Sequence, residues 1–391
     1  MKHLAELLKT PDLMRLREAY QAHGFDARAV GGPVRDLLLG EVPKDIDLCT
    51  DAPPDVGQEI CAAAGFRTIP TGLQHGTFTV LLEEPVEITT LRVEAEHDGR
   101  HAQVAFIRDW TADLARRDLT INAMSLTLDG ELHDPFGGHA DLQARRIRFV
   151  GRAEDRMRED HLRILRWLRF QTRFAPDQAF DEEALAACRN AASGLARISR
   201  ERVWSEMSRI LASPAGLAIY GRVAEHLAPH IGLPQFDEGG LQRANVAYAC
   251  GVRDPSAILA TLLDSTDRLS DLARAWRWSG EDRDRAVFLS HHLQAGSDPR
   301  WLIAHDERRQ DWTADLCRLR GDADLAADIQ AWDVPHFPLR GADLLDAGCS
   351  PGRTMGETLR RMRQSWAEGG YRADAAELLG AEGFTASVHK P

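Results

Sequence analysis

The chain has 391 residues, a formal net charge of −12, 43% hydrophobic residues and 28% charged residues. Because single hydrophobic cores rarely grow beyond roughly 250 to 300 residues, this length predicts more than one domain. No apolar run approaches the roughly 20 residues of a membrane-spanning helix, which argues against an integral membrane protein. We expect a soluble, cytoplasmic protein without membrane contacts, and the overall acidity argues mildly against a nucleic-acid partner.

The predicted elements change in character along the chain. The N-terminal third mixes short β-branched runs, such as "GTFTVLLE" and "PVEITTLRV", with helical segments and glycine or proline turns. From about residue 150 onward, apolar residues recur at helical spacing and no strand pattern interrupts them. The sequence therefore predicts a region of mixed α and β structure followed by helices alone. The six cysteines have no zinc-binding spacing and are expected to be reduced thiols.

Two aspartates, Asp45 and Asp47, lie one residue apart in "PKDIDLCT". Alternate side chains of a β-strand share a face, so both carboxylates are expected on one side and Ile46 on the other. Like charges this close repel each other, and a hard divalent cation such as Mg²⁺ would stabilise them. For this pair taken alone, a solvated strand end is the alternative interpretation.

Glycines and an arginine precede the aspartates in "GGPVRD". Glycine backbone can approach a phosphate closely and Arg35 can hold its charge, although an exposed turn before a helix has the same pattern. Downstream, Glu87 lies in the predicted strand "PVEITTLR", where an unpaired acid would be costly. A third carboxylate there would complete a two-metal site for phosphoryl transfer.

Two adjacent arginines, Arg116 and Arg117, and then Asp118 precede an apolar segment in "DLARRDLTINAMSL". The arginines can bind a triphosphate, and Asp118 can accept a hydrogen bond from a ribose hydroxyl. A charged helix surface would look the same. The motif is therefore a candidate nucleotide contact.

Residues 145 to 173 contain ten arginines and four acids, a basic surface that the average charge conceals. Within this segment Asp160 and Arg163 lie three residues apart, on one face of a predicted helix. An intrahelical ion pair is one interpretation. The other is recognition of a base, because a carboxylate that accepts and a guanidinium that donates match the edges of cytosine and adenine, but not those of uracil and guanine.

The order of these motifs resembles that of a known family. "GGPVRD", "DID", "RRDLTINAM", "DPFGG", "EDHLRILRWLRF" and "RERVWSEM" resemble the motifs of the class II tRNA nucleotidyltransferases, the CCA-adding enzymes, and of the related bacterial poly(A) polymerases. The resemblance covers about residues 25 to 215. It implies an α+β fold with a polymerase-beta-like nucleotidyltransferase head that contains a small mixed sheet, followed by an all-helical neck, body and tail. The implied bounds are residues 1–145, 146–215, 216–335 and 336–391.

The resemblance also implies roles for individual residues. Asp45 and Asp47 match the aspartates that bind catalytic magnesium, and Glu87 matches the third acid. The residues implied to bind the nucleotide are Gly31, Gly32, Arg35, Arg116, Arg117, Asp118, Asn122, Asp160, Arg163, Arg166 and Arg169. The implied reaction is template-independent addition of CCA to the 3′ end of tRNA from CTP and ATP, with Mg²⁺ as cofactor and pyrophosphate as product. No protein partner is implied.

Other activities stay open at this point. A poly(A) polymerase, or an enzyme that adds only CC or only A, would share these motifs. The chain lacks the "GRRF"-type segment of the poly(A) polymerases, and "GLQHGTFTV" resembles the CCA-adding version, whereas the stretch from residue 94 to "RRD" departs from the family's usual sequence. A metal-dependent hydrolase would need His291, His292, His305 and Asp306 to converge with further ligands. A catalytically inactive RNA-binding protein would have no reason to keep three acids together.

Overall fold

The computed structural model describes residues 10–94, 104–263, 265–305 and 309–384. The chain divides into two compact units, Met1–Ile198 and Ser199–Pro391. The first unit combines a mixed β-sheet with helices, and the described part of the second is helical. The α+β fold class is therefore confirmed. The division falls inside the predicted neck, and the four predicted domain bounds stay a prediction.

Nine strands lie in the described part of the first unit. They are β1 (Ala27–Val30), β2 (Asp47–Thr50), β3 (Arg67–Gly72), β4 (Thr77–Leu81), β5 (Val86–Thr90), β6 (Arg92–Glu94), β7 (Val104–Phe106), β8 (Ser125–Thr127) and β9 (Leu132–His133). Seven of them form one sheet in the order β3-β4-β5-β2-β1-β8-β9, and β6 pairs with β7. Because β2 runs parallel to β5 but antiparallel to β1, the sheet is mixed.

The helices of the first unit surround and follow this sheet. They are α1 (Pro11–Ala22), α2 (Gly32–Leu38), α3 (Pro54–Ala63), α4 (Trp110–Ala115), α5 (Gly138–Gln143), α6 (Ala153–Glu159), α7 (Leu162–Phe174) and α8 (Glu182–Ala191). Short 3-10 helices occupy Leu73–His75, Thr120–Asn122 and Ala192–Arg197. The strand-rich region thus gives way to helices close to the point that the sequence pattern predicts.

The two faces of the seven-stranded sheet differ in polarity. Leu48 of β2 and Ile88 of β5 are fully buried in one apolar core, to which α1 and α3 contribute. Side chains alternate along a strand, so Asp47 and Glu87 project from the opposite face. Both acids are exposed. One face of the sheet therefore packs on the apolar core, and the opposite, open face carries the carboxylates.

Helix α7 carries two chemically distinct stripes. Leu165, Trp167 and Leu168 are completely buried on one side. Arginines stand at residues 163, 166 and 169 and are only partly buried. Because residues three or four apart are neighbours on a helix, these arginines form one continuous cationic face.

The second unit consists of helices in its described part. They are α9 (Arg200–Leu211), α10 (Pro214–Gly221), α11 (Ala224–Ile231), α12 (Glu238–Ala249), α13 (Pro255–Leu262), α14 (Thr266–Ala275), α15 (Gly280–Ala295), α16 (Pro299–His305), α17 (Gln310–Leu319), α18 (Ala323–Ala331), α19 (Gly341–Asp346), α20 (Arg353–Glu368) and α21 (Ala375–Ala381). Among the described helices of the chain, none combines the length and the apolar character that a bilayer crossing requires. All six cysteines are free thiols, as expected.

Candidate nucleotidyl-transfer site

Two of the three predicted metal-site carboxylates face each other across neighbouring strands. Asp47 is the first residue of β2, and Glu87 is its register partner on the parallel strand β5. Adjacent strands lie roughly 5 Å apart, so the two carboxylates occupy neighbouring positions on the open face. Strand β2 begins at Asp47, two residues later than the sequence pattern suggests. Asp45 therefore lies in a bend before the strand.

The environment of Asp47 favours a bound cation. Although Asp47 is accessible to solvent, partial burial by the atoms around it raises its pKa, the charge of Asp45 raises it further, and the charge of Arg117 opposes both. Ile46, between the two aspartates, packs on the apolar core. Paired carboxylates supply the hard oxygen ligands that Mg²⁺ prefers, so these residues fit a magnesium ion. Over the described residues, however, no group of three or more His, Cys, Asp or Glu side chains is arranged to hold a metal ion, so the three predicted acids do not form a complete ligand set by themselves.

Gly31 makes room for Arg117 beside helix α2. Its φ of 70° lies in the left-handed region that glycine tolerates best. A Cβ atom at this position would lie 2.6 Å from Nη1 of Arg117. Gly32 is less constrained, since the nearest atom to a Cβ there would be Nη2 of Arg35 at 3.7 Å. Gly31 therefore lets the guanidinium of Arg117, a predicted triphosphate ligand, lie against the backbone before α2, and a Cβ there would make that side chain shift.

Asp113, which the sequence patterns did not single out, anchors both arginines of the "RRD" motif. Its side chain is 1% exposed, accepts a hydrogen bond from Nε of Arg116 at 2.8 Å and lies 3.5 Å from Nη2 of Arg117. An acid three and four residues before two arginines on a helix is a recognisable signal for such anchoring. Both guanidinium groups remain partly exposed and can bind a further anion.

The Arg35 guanidinium is buried and hydrogen-bonded to neighbouring side chains, so it is less free to move than an exposed arginine that binds a phosphate. It is 6% exposed, and its guanidinium donates to Asp36 Oδ1 at 2.7 and 2.9 Å and to Asn122 Oδ1 at 2.6 Å. The guanidinium also lies 4.7 Å from the ring centroid of Phe174 on α7. Burial lowers the pKa of Arg35, and the hydrogen bond to Asp36 opposes that shift. In this structure Arg35 joins helix α2 to Asn122 and α7.

Asp118 pairs with an arginine of helix α7. Nε of Arg166 donates to Asp118 Oδ2 at 2.6 Å, and the N–H of Leu119 donates to Oδ1 at 2.9 Å. Burial by itself would raise the pKa of Asp118, but the Arg166 charge and these hydrogen bonds lower it below its ordinary value. Nδ2 of Asn122 lies 3.5 Å from Asp118 Oδ1. Asn122 thus contacts both Asp118 and Arg35, so three predicted nucleotide-binding residues form one network with Arg166.

Asp160 and Arg163 lie at the start of α7, each with a contact of its own. The carboxylate of Asp160 accepts a hydrogen bond from the N–H of Leu162, the first residue of the helix, at 3.0 Å. Arg163 forms an ion pair with Glu159, one turn earlier, and also donates to the backbone oxygen of Arg156 at 3.2 Å. Glu159 is a second residue that the sequence patterns did not single out, although its i, i+4 spacing to an arginine is visible in "EDHLR".

The remaining arginines of the cationic face stack on aromatic rings. The guanidinium of Arg169 lies 4.6 Å from the ring centroid of Phe170, and that of Arg166 lies 6.0 Å from it. Arg173, not predicted as a site residue, extends the row and forms ion pairs with Asp36 at 3.6 Å and Glu41 at 3.3 Å. Cation–π contacts fix the planes of guanidinium groups, which favours a defined rather than a diffuse cationic surface.

The residues considered for a hydrolase site do not support one. His292 forms a hydrogen bond with Ser297 at 2.8 Å and packs edge-on against Phe288. The dipeptide His305-Asp306 lies outside the residues whose side chains are described. The candidate chemistry of this chain is therefore concentrated around the open sheet face and α7.

Two family models match the chain. Residues 27–148 match the model described as "Poly A polymerase head domain", and residues 179–238 match "Probable RNA and SrmB- binding site of polymerase A". The first match spans the strands that carry Asp47 and Glu87, together with the "RRD" motif.

Curated proteins and solved structures are also similar. The "CCA tRNA nucleotidyltransferase 1, mitochondrial" of Mus musculus is 38% identical, over 95% of this chain and 90% of the relative. A "CCA-adding enzyme" of Geobacillus thermodenitrificans is 34% identical, over 80% of this chain and 64% of the relative. The crystal structure of the Bacillus stearothermophilus CCA-adding enzyme in complex with CTP has a TM-score of 0.73 and 28% identity, and the match covers 92% of this chain and 94% of that one.

Proposed function

This chain belongs to the CCA tRNA nucleotidyltransferase family, and we propose that it adds CCA to the 3′ end of tRNA from CTP and ATP without a nucleic-acid template. The observation that carries the proposal is the position of Arg117. Its guanidinium abuts Gly31, and its charge acts on Asp47. A triphosphate-binding group next to a metal-binding carboxylate is the arrangement that nucleotidyl transfer requires.

The proposed cofactor is magnesium, held by Asp45 and Asp47, with Glu87 on the neighbouring strand as the third catalytic acid. Partial burial and, after it, the charge of Asp45 raise the pKa of Asp47, which supports this assignment because a bound cation would stabilise the ionised carboxylate against both. When bound, magnesium would neutralise phosphate charge and help to align the attacking and leaving oxygens.

The protein's own groups would bind and orient the reactants. Arg116 and Arg117, fixed by Asp113, would hold the triphosphate, and Gly31 would allow the close approach. The terminal ribose hydroxyl of the tRNA would attack the α-phosphorus, so that one P–O bond forms, the bond to the β-phosphate oxygen breaks, and pyrophosphate leaves. The hydroxyl proton would pass to solvent. Alignment of the two reactants is the main contribution expected of such a site.

The base would be selected by amino-acid side chains. Asp160 would accept from the exocyclic amine of cytosine or adenine, and Arg163 would donate to the neighbouring ring nitrogen. The ion pair of Arg163 with Glu159 supports this role, because it limits the guanidinium to few orientations. Five further side chains would position the ribose, the phosphates and helix α7 around the nucleotide, namely those of Asp118, Asn122, Arg35, Arg166 and Arg169.

The proposed arrangement of the chain is a catalytic head at residues 1–145, a neck at 146–215, a body at 216–335 and a tail at 336–391. The match of residues 179–238 to an RNA-binding family model supports contact between the neck and tRNA. We propose the cytoplasm as the compartment of this protein, whereas the vertebrate relatives carry "mitochondrial" in their names.

The direct test is to incubate the protein with a tRNA transcript that ends at the discriminator base, magnesium, and CTP and ATP separately or together. The 3′ ends are then sequenced. We expect ends that stop at CCA when both nucleotides are present, and no addition by a variant with both Asp45→Asn and Asp47→Asn. Ends limited to CC, or A added only to tRNA that already carries CC, would contradict complete CCA addition. Long A tails would indicate a poly(A) polymerase instead.

A further inference from the structure

A cationic cavity of about 360 Å³ lies behind the start of helix α7. Its walls come from α6, from His161 directly before α7, from the end of α8 and from the 3-10 helix that follows. The polar residues that line it are Glu154, Arg158, His161, Asn190, Ser193 and Arg197. The cavity is separate from the carboxylates of the sheet and from the cationic face of α7, since it shares no lining residue with either.

The charges of the cavity are unbalanced in favour of an anion. Glu154 is paired with Arg158 at 2.7 Å, so these two charges largely cancel. Within the described residues no carboxylate pairs with Arg197. Burial and, after it, the charge of Arg197 lower the pKa of His161, and the charge of Asp160 opposes them. Asn190 and Ser193 add neutral hydrogen-bond donors. One free guanidinium surrounded by an imidazole, an amide and a hydroxyl forms a donor set suited to a phosphate oxyanion.

His161 connects the cavity to the base-reading residues. A Cβ atom on Gly194 would lie 1.8 Å from Cδ2 of His161, so the imidazole rests directly on that glycine's backbone. His161 is also the neighbour of Asp160, whose carboxylate accepts from the N–H of Leu162 at the start of α7. The ring is therefore fixed between the cavity and the start of α7, and one peptide bond separates the cavity wall from Asp160.

We propose that this cavity is a subsite for a phosphodiester of the tRNA strand, with Arg197 as the main ligand and Asn190 and Ser193 as neutral donors. The proposal rests on the proposed function, because it names tRNA as the source of the phosphate. An RNA backbone is favoured over free phosphate by the match of residues 179–238, which include these three ligands, to an RNA-binding family model.

The test compares Arg197→Gln with Arg189→Gln, which removes the same charge from an exposed position of α8 that does not line the cavity. Asn190→Ala is a second variant that leaves the net charge unchanged. For each protein we would measure the Kd for tRNA as a function of salt, the KM for CTP with a tRNA substrate, and binding of pyrophosphate. Thermal unfolding establishes that each variant is folded.

We expect Arg197→Gln to raise the tRNA Kd severalfold and to reduce the slope of log Kd against log salt by about 1, the loss of one phosphate contact. Asn190→Ala should raise the Kd less and leave the slope unchanged, and neither variant should alter the KM for CTP.

Equal tRNA affinity for Arg197→Gln and Arg189→Gln would overturn the proposal. Pyrophosphate binding that depends on Arg197 while tRNA binding does not would also overturn it, in favour of a site for free anions. Because tRNA binding is measured without catalysis, failure of CCA addition by the wild-type protein would count against the proposed function and not against this subsite.

Discussion

Asp118 and Arg166 form a 2.6 Å ion pair that links the residue after the "RRD" arginines to helix α7. The two side chains are unequally buried, at 9% exposure for Asp118 and 35% for Arg166. Removing the arginine therefore leaves a carboxylate that water reaches poorly. The pair fixes the predicted ribose contact relative to the arginines proposed to face the nucleotide.

Arg166→Gln is expected to destabilise the protein more than Asp118→Asn. A buried carboxylate without its partner costs more than a partly exposed guanidinium without its partner, and the loss should be about 2 kcal/mol in the free energy of unfolding. The two substitutions together should cost less than the sum of the single ones. Urea unfolding of the four proteins measures this coupling. Additive effects would show that the pair contributes nothing beyond its separate side chains.

The same pair predicts a pH dependence. The folded pKa of Asp118 lies below its ordinary value of 3.8, so the stabilisation is present above that value and is lost as pH falls through the folded pKa. The difference in unfolding free energy between the wild type and Asp118→Asn should be constant from pH 7 to about pH 5 and should shrink below about pH 4. Urea unfolding at stepped pH values checks this. A difference that grows on acidification would contradict the ion-pair assignment.

Arg35→Lys separates a structural role from a nucleotide contact. Lysine keeps the charge but cannot donate at once to Asp36 and Asn122 while stacking on Phe174. If Arg35 chiefly joins these elements, the variant loses about 1 to 2 kcal/mol of stability, and kcat falls more than KM rises. Chemical unfolding and steady-state kinetics with CTP and ATP provide the two readings. An increase in both nucleotide KM values at unchanged stability would instead identify Arg35 as a direct phosphate ligand.

Gly31→Ala should reduce activity well beyond the cost of backbone strain. With a φ of 70° and a ψ of −117° Gly31 lies outside the αL region, so an alanine there is strained, and the new methyl group must also displace Arg117. Gly24→Ala is a matched control, because Gly24 has a φ of 75° but no atom lies within 4 Å of the place that its Cβ would occupy. Both variants should lose stability, whereas only Gly31→Ala should raise the KM for nucleotide. Equal kinetics for the two would show that the Arg117 contact is unimportant.

Local patterns predicted the parts of this site that depend on chain periodicity. The spacing of arginines 163, 166 and 169 indicated the cationic face of α7, and the β-branched run around Glu87 indicated a strand. The partners of these residues depend on contacts that spacing alone does not reveal. Arg35 is buried because Phe174, far along the chain, lies over its guanidinium, and the pairing of Asp47 with Glu87 depends on which strands become neighbours. Asp113 and Glu159 were visible as helical charge pairs, but such pairs are common on solvated helices and give no sign of function by themselves.

Magnesium should stabilise the folded protein through Asp45 and Asp47. An ion that binds only the folded state adds about 2.7 kcal/mol at a concentration of 100 times its Kd. Asp47→Asn should abolish this increase and, in EDTA, should unfold no more easily than the wild type, because it removes one of two repelling charges. Glu84→Gln, at an exposed position in the turn before β5, is the control and should keep the magnesium response. Thermal unfolding with and without magnesium gives the answer independently of activity, and an unchanged response in Asp47→Asn would refute the assignment.

Glu159 should control base choice through Arg163. Arg163→Ala is expected to reduce discrimination of CTP and ATP against UTP and GTP more than it slows pyrophosphate release, because it removes one of two hydrogen-bonding groups. Glu159→Gln keeps Arg163 but releases its guanidinium from the ion pair, so discrimination should fall in the same direction by a smaller factor. Glu182→Gln, at an exposed position in the first turn of α8, should leave discrimination unchanged. The measurement is kcat/KM for each of the four nucleotides with one tRNA substrate.

If Arg163→Ala slows addition of all four nucleotides equally, Arg163 supports the helix without reading the base. If Glu159→Gln leaves the ratios of the wild type while Arg163→Ala changes them, Arg163 reads the base without orientation by Glu159.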